Sequence, residues 1–189
     1  MRIILASASP RRRELIGRLF SEFEIITSDV DETLPLGMTP EEGVRELAIR
    51  KGERVALENP SALVISADTL VELDGIPLGK PRDEEEARQM LACLSGRTHR
   101  VHTGIAVRYR GRTSANTASS GVTFRTLTEE EIADYVATGE PLDKAGAYGI
   151  QGEGGRLVES FFGDFDTIVG LSVSLTERLI REVVENDKE

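Results

Sequence analysis

The chain has no tryptophan, one cysteine and two histidines, and aromatic residues make up only 5% of it. A lone Cys93 excludes an intrachain disulfide, so the fold needs no oxidising compartment. His99 and His102 fall on opposite faces of an extended segment, so a zinc site or a histidine-based triad is not expected and both read as structural or exposed. No apolar run reaches membrane-spanning length, and Ile3 to Ala6 is too short for a signal-peptide core. A protein neither secreted nor membrane-bound, in the cytoplasm, is expected. Positive charge is also short, with 23 Lys plus Arg against 33 Asp plus Glu and a formal net charge of -10. Such a surface repels nucleic acid and anionic lipid, so neither is expected as a partner, and any anionic ligand must be met by local cations or a metal.

What is present is an alternation of strand-like and helix-like segments without repeats, which predicts an α/β fold in one domain over residues 1–189. A strand at about 2–6 leads through Ser9-Pro10 into a helix to about Phe20, and a second strand at 23–28 runs into the acidic loop Asp29 to Glu32. Thr39-Pro40-Glu41-Glu42 has the capping-box spacing of a long helix ending near Asn59-Pro60. Leu63 to Ile65 is an apolar strand leading to Ala67-Asp68-Thr69, and Asp74-Gly75 is a turn between strands 70–73 and 76–78. A helix at about 83–94, β segments at about 98–109 and 116–125, and a helix from Thr128 to about Ala137 follow. Five glycines fall between Gly146 and Gly155, before a last helix at about 173–185 and a frayed tail at 186–189.

Four cations stand where a fold alone would not choose them. Arg11, Arg12 and Arg13 occupy the first turn of a helix, where the unsatisfied N–H groups already carry positive potential. At 100° per residue, Arg12 falls within the face of Leu15, Ile16, Leu19 and Phe20 and should point inward. It meets either a polyanion such as phosphate or a structural carboxylate such as Asp31. Lys51 sits four residues from both Leu47 and Val55 on the apolar stripe of the next helix, either snorkelling to water or facing the same anion.

Asp68 ends an apolar strand, where open α/β sheets place ligand loops; it either holds a divalent ion or takes a proton from water, or merely caps a turn. Asp31 and Glu32 lie in a loop that can converge on it. Lys80, between Gly79 and Pro81, is rigidly placed, but Gly79-Lys80-Pro81 is no P-loop, and the late glycines lack the dinucleotide spacing.

The segments Leu5 to Arg12, Ala67-Asp68-Thr69, Gly79 to Asp83, Leu94 to His99 and Asp143 to Gly152 together resemble the Maf family of nucleotide pyrophosphatases. The resemblance implies an elongated mixed α/β fold like that of the inosine triphosphate pyrophosphatases, with a cleft between two lobes. It implies attack of water on the α-phosphorus of a nucleoside triphosphate, assisted by Mg²⁺ or Mn²⁺, in a homodimer. By position Asp68 is then the proton acceptor, Glu32 and Asp68 hold the metal, and Ser7, Arg12, Lys51 and Lys80 bind the triphosphate.

Arg12, Thr69 and Gln151 look like the subgroup acting on dTTP and UTP. The 7-methyl-GTP group carries Trp, Gln and Glu at these positions, and that activity is the alternative, beside a non-catalytic nucleotide-binding regulator of cell division. Two departures from the family pattern stand out: Gly52 where alanine is usual, and Ser172 in place of proline after Gly170-Leu171.

Overall fold

The computed structural model describes residues 1–34 and 36–185, and the expected frayed tail lies outside the described residues. Seven strands form one mixed sheet in the order β2 (Glu24–Ile25), β1 (Ile3–Leu5), β3 (Leu63–Leu73), β5 (Thr98–Tyr109), β6 (Arg112–Phe124), β7 (Val158–Phe162), with β4 (Ile76–Leu78) paired to β3. The chain divides into two compact units, one of Met1–Asp68, Thr103–Ala118 and Gly170–Glu189, the other of Thr69–His102 and Ser119–Val169. Three strands contribute residues to both: β3 (Leu63–Leu73), β5 (Thr98–Tyr109) and β6 (Arg112–Phe124).

In the first unit, β1 (Ile3–Leu5) runs parallel to β2 (Glu24–Ile25) on one side and to β3 on the other, with Leu5 opposite Ile65. Ile4, Leu5, Val64 and Ile65 are fully buried, the near-continuous apolar pattern of parallel strands covered on both faces. Helix α1 (Pro10–Ile16) starts as expected, with the Ser9 hydroxyl accepting from the Arg12 N–H. It stops at Ile16 rather than near Phe20, because the N–H groups of Arg18 and Leu19 bond three residues back, to Leu15 and Ile16, and tighten the last turn.

Helix α2 (Pro40–Glu58) has both halves of its capping box between Thr39 and Glu42. Two glycines let it lie unusually close to the sheet. A Cβ on Gly104 of β5 would sit 2.3 Å from the Val44 carbonyl, and one on Gly52 would sit 2.5 Å from Ser66 Oγ. The Ser66 hydroxyl donates to the Ala48 carbonyl at 2.6 Å, tying helix to strand. Gly52 therefore has a packing reason that outweighs its poor helix propensity. In helix α6 (Val173–Glu185), Leu175, Leu179 and Val183 face inward, and Ser172 accepts from the Leu175 N–H, a capping bond proline could not supply.

The second unit is built around Val71, Leu91, Leu94, Phe124, Tyr135, Tyr148 and Leu157. Asp74 and Gly75, both at positive φ, turn β3 into β4 (Ile76–Leu78), with Val71 opposite Leu78. Helix α3 (Glu84–Leu94) is capped by Asp83, and helix α4 (Glu129–Ala137) by a capping box at Thr128 and Glu131. Strand β7 (Val158–Phe162), antiparallel to β6, and the short helix α5 (Phe165–Val169) were not signalled by the sequence pattern. β7 carries an exposed Phe161-Phe162 pair rather than an alternating face, so its period is hidden.

Candidate active site

In the first unit, the charged residues singled out above come together. The Lys51 ammonium lies 2.6 Å from Asp68 Oδ1 and 2.8 Å from Glu32 Oε1. Its side chain and that of Asp68 are only 17% and 16% exposed, so Lys51 does not snorkel away but is held between two carboxylates. Burial alone would lower the pKa of this ammonium, but Asp68 and then Glu32 outweigh it and the net shift is upward. Asp68 Oδ2 has no protein partner among the described residues.

Arg12 points inward, as its position on α1 requires. Its Nε donates to the Gly170 carbonyl at 2.8 Å, and Nη1 donates to the Ala67 carbonyl at 2.8 Å and to Ser7 Oγ at 3.2 Å. The Asp31 alternative is not what these bonds show: Asp31 Oδ1 instead accepts from the Thr33 N–H at 2.9 Å. Burial pushes the pKa of the guanidinium down, while Asp68 pulls it back up. Buried Ser7 also accepts from the Ser9 N–H, so the loop before α1 and the end of the β3 apolar run are stitched together through Arg12. Five of the expected site residues, Ser7, Arg12, Glu32, Lys51 and Asp68, thus form one connected group.

The remaining three, Thr69, Lys80 and Gln151, belong to the second unit. Thr69 follows Asp68 directly within β3, so the two side chains leave the strand on opposite sides. Lys80 is exposed and has no hydrogen bond or ion pair among the described residues. The carbonyl of neighbouring Gly79 accepts from the Gly146 N–H at 3.0 Å, which ties the Lys80 segment to the glycine-rich stretch. Gly146 lies at φ +67, and a Cβ there would meet Val71 at 2.9 Å, so only glycine allows this approach. Gln151 is exposed in the same stretch.

Both histidines are buried. His99 Nε2 lies 2.8 Å from Tyr148 Oη, its ring packs edge-on against Phe124, and its Nδ1 has no partner among the described residues. Burial pushes its pKa down to about 4, so it is a neutral core residue. His102 lies with Nε2 2.8 Å from Glu72 and Nδ1 2.7 Å from Ser119 Oγ. That serine–histidine–glutamate line was invisible in the sequence, because its members lie on three different strands.

The first unit thus holds two inward cations, Arg12 and Lys51, the second of them between two carboxylates. A family model described as Maf-like protein matches residues 2–183, and the chain belongs to that family. It is 49% identical over 181 residues to the dTTP/UTP pyrophosphatase of Bacillus velezensis, covering 96% of each chain. It is 46% identical over 186 residues to the dTTP/UTP pyrophosphatase of Bacillus cereus, covering 98% of this chain and 96% of that one. Among solved structures, the Staphylococcus aureus Ham1 protein is similar over 66% of this chain and 72% of its own, at 21% identity and a TM-score of 0.49.

Proposed function

We propose that this chain hydrolyses dTTP and UTP to the nucleoside monophosphate and pyrophosphate. The observation that carries the reading is Asp68, fixed through one oxygen by Lys51 with its other oxygen unpartnered, in a protein whose near full-length relatives bear that activity in their names. A carboxylate so fixed can take the proton of a water that attacks the α-phosphorus. The bond from that phosphorus to the bridging oxygen breaks, and pyrophosphate leaves with the electron pair. Lys51 and Arg12 supply the positive charge that the growing negative charge on the phosphate oxygens requires, with Ser7 orienting Arg12. In the second unit, Lys80 takes the role of a further phosphate cation, and Thr69 and Gln151 that of reading the pyrimidine.

Glu32 and Asp68 offer hard oxygen donors and suit a divalent cation of the Mg²⁺ or Mn²⁺ kind, which completes its shell with water and phosphate oxygens. Such an ion, when bound, neutralises phosphate charge. Two carboxylates are too few for an all-protein cage, and among the described residues no cluster of three or more metal-ligating side chains exists. The cation would therefore be bound together with the nucleotide.

The test is pyrophosphate release from dTTP, UTP, CTP, GTP and 7-methyl-GTP, each with Mg²⁺, with Mn²⁺ and with EDTA. Release from dTTP and UTP, abolished by EDTA and restored by either metal, is expected. A preference for 7-methyl-GTP overturns the substrate assignment, and tight nucleotide binding without release makes the chain a non-catalytic binder. A homodimer is part of the proposal, and light scattering of the purified chain decides it. No helix among the described residues is long and apolar enough to cross a membrane.

A further inference from the structure

A loop with glycines at 146, 149, 152, 154 and 155 should cost considerable conformational entropy to order, and an exposed Gln151 in its midst should read a base poorly. The structure holds the loop from one side chain. Glu140, placed just after Gly139 at φ +76, opens a short 3₁₀ turn (Glu140–Asp143) and aims its carboxylate back under the glycines. Glu140 Oε2 accepts from the Glu153 N–H at 3.0 Å, and Oε1 accepts from the Gly154 N–H at 3.2 Å and from Tyr135 Oη at 2.8 Å. Tyr135 Oη in turn accepts from the Gly149 N–H at 3.1 Å. Both ends of the segment around Gln151 are therefore fastened to one carboxylate–phenol pair.

Two of these glycines are explained by the same fastening. A Cβ on Gly152 would lie 2.5 Å from both Glu140 oxygens, one on Gly154 would lie 2.5 Å from Tyr135 Oη, and one on Gly149 would lie 2.6 Å from Lys144 Cε. Gly152 and Gly154 are where the loop backbone presses onto the anchor. The Glu140 charge is taken up by two backbone N–H groups and a phenol. Burial would raise the Glu140 pKa, but the Glu153 N–H, Tyr135 and the Gly154 N–H hold the carboxylate ionised.

The geometry points to Glu140, with Tyr135, as a positioning residue that sets pyrimidine selectivity by fixing the backbone that presents Gln151. This rests on the reading that Gln151 meets the base. The experiment compares wild type, Glu140→Gln, Tyr135→Phe, Gln151→Ala and the Glu140→Gln/Gln151→Ala double variant. Each is measured for kcat and KM on UTP and GTP, and for amide exchange over residues 149–154. An amide nitrogen cannot accept from the Glu153 N–H, while the remaining oxygen still can from Gly154, so Glu140→Gln should speed exchange at residue 153 by about tenfold or more. It should also raise KM for UTP by about tenfold with kcat within about threefold, and cut the UTP-over-GTP preference by a similar factor.

The double variant should lose no more selectivity than Gln151→Ala alone. If Glu140→Gln fails to fold, Tyr135→Phe must show the same loss of selectivity, smaller in size, with faster exchange at residue 149. An unchanged UTP-over-GTP ratio despite faster exchange, or additive effects of Glu140→Gln and Gln151→Ala, overturns the inference while leaving the pyrophosphatase reading intact. A wild-type chain that releases no pyrophosphate from UTP, or does not prefer it to GTP, overturns the reading itself and the inference with it.

Discussion

The Lys51 ammonium donates to Asp68 at 2.6 Å, joining the middle of a helix to the end of the apolar run of a strand. A cation there has no packing value, and its two carboxylate partners have none either. Asp68→Asn keeps the shape of the side chain and removes the proton acceptor. Turnover on dTTP should fall by at least about 100-fold, with an unchanged far-UV spectrum, and a pyrophosphate-release assay on folded protein reads it. Near-normal turnover would remove Asp68 from the chemistry.

Gln151→Glu tests recognition separately from reaction. A carboxylate there loses the donor an amide offers a pyrimidine edge and gains a charge suited to methylated guanine. The ratio of kcat/KM for UTP over 7-methyl-GTP should drop by about 10-fold to 100-fold, measured in one substrate panel. An unchanged ratio would show that the base is read elsewhere.

His99 gives a pH signature of stability. Its pKa falls from the ordinary 6.5 to about 4 on folding, so the unfolded chain takes up the proton first. Stability from this residue is complete above about 6.5 and declines as pH falls towards 4. Urea titrations should show a loss of about 2 kcal/mol between pH 7 and pH 5 that is absent from the His99→Phe protein. Equal pH slopes in the two proteins would contradict a neutral, buried imidazole.

Gly52→Ala sets helix propensity against space. Alanine should add up to about 1 kcal/mol to an exposed helix position, but here the methyl meets Ser66 Oγ. We expect a net loss of about 1–2 kcal/mol in urea unfolding, recovered in large part by Gly52→Ala/Ser66→Ala, which removes the obstructing hydroxyl. Gly104→Ala meets backbone at 2.3 Å, and should cost about 3 kcal/mol with no single-site rescue.

Much of this was legible before any coordinates. Helix starts were, because Ser9, Thr39, Asp83 and Thr128 are side chains whose capping bonds involve only the next few residues. The inward cations were, because Arg12 and Lys51 contradict the stripe they interrupt. The run of β3 from Leu63 unbroken to Leu73 was read as two pieces, since the polar Ser66, Asp68 and Thr69 break the apolar pattern that only sheet neighbours override. The partners of Arg12 were unreadable: two are carbonyls, at Ala67 and Gly170, and a carbonyl carries no sequence signature. Glu140 was missed for the same reason, as two of its three carboxylate contacts are backbone N–H groups.

The close seating of α2 at Gly52 and Gly104 sets the height of Lys51 above the sheet by main chain against main chain and a serine, not by interchangeable side chains. Hydrophobic residues along that helix can then drift in size over generations without lifting the ammonium out of reach of its carboxylates. Mutational tolerance should therefore be wider at Val44, Leu47 and Val55 than at Gly104, where any side chain meets main chain.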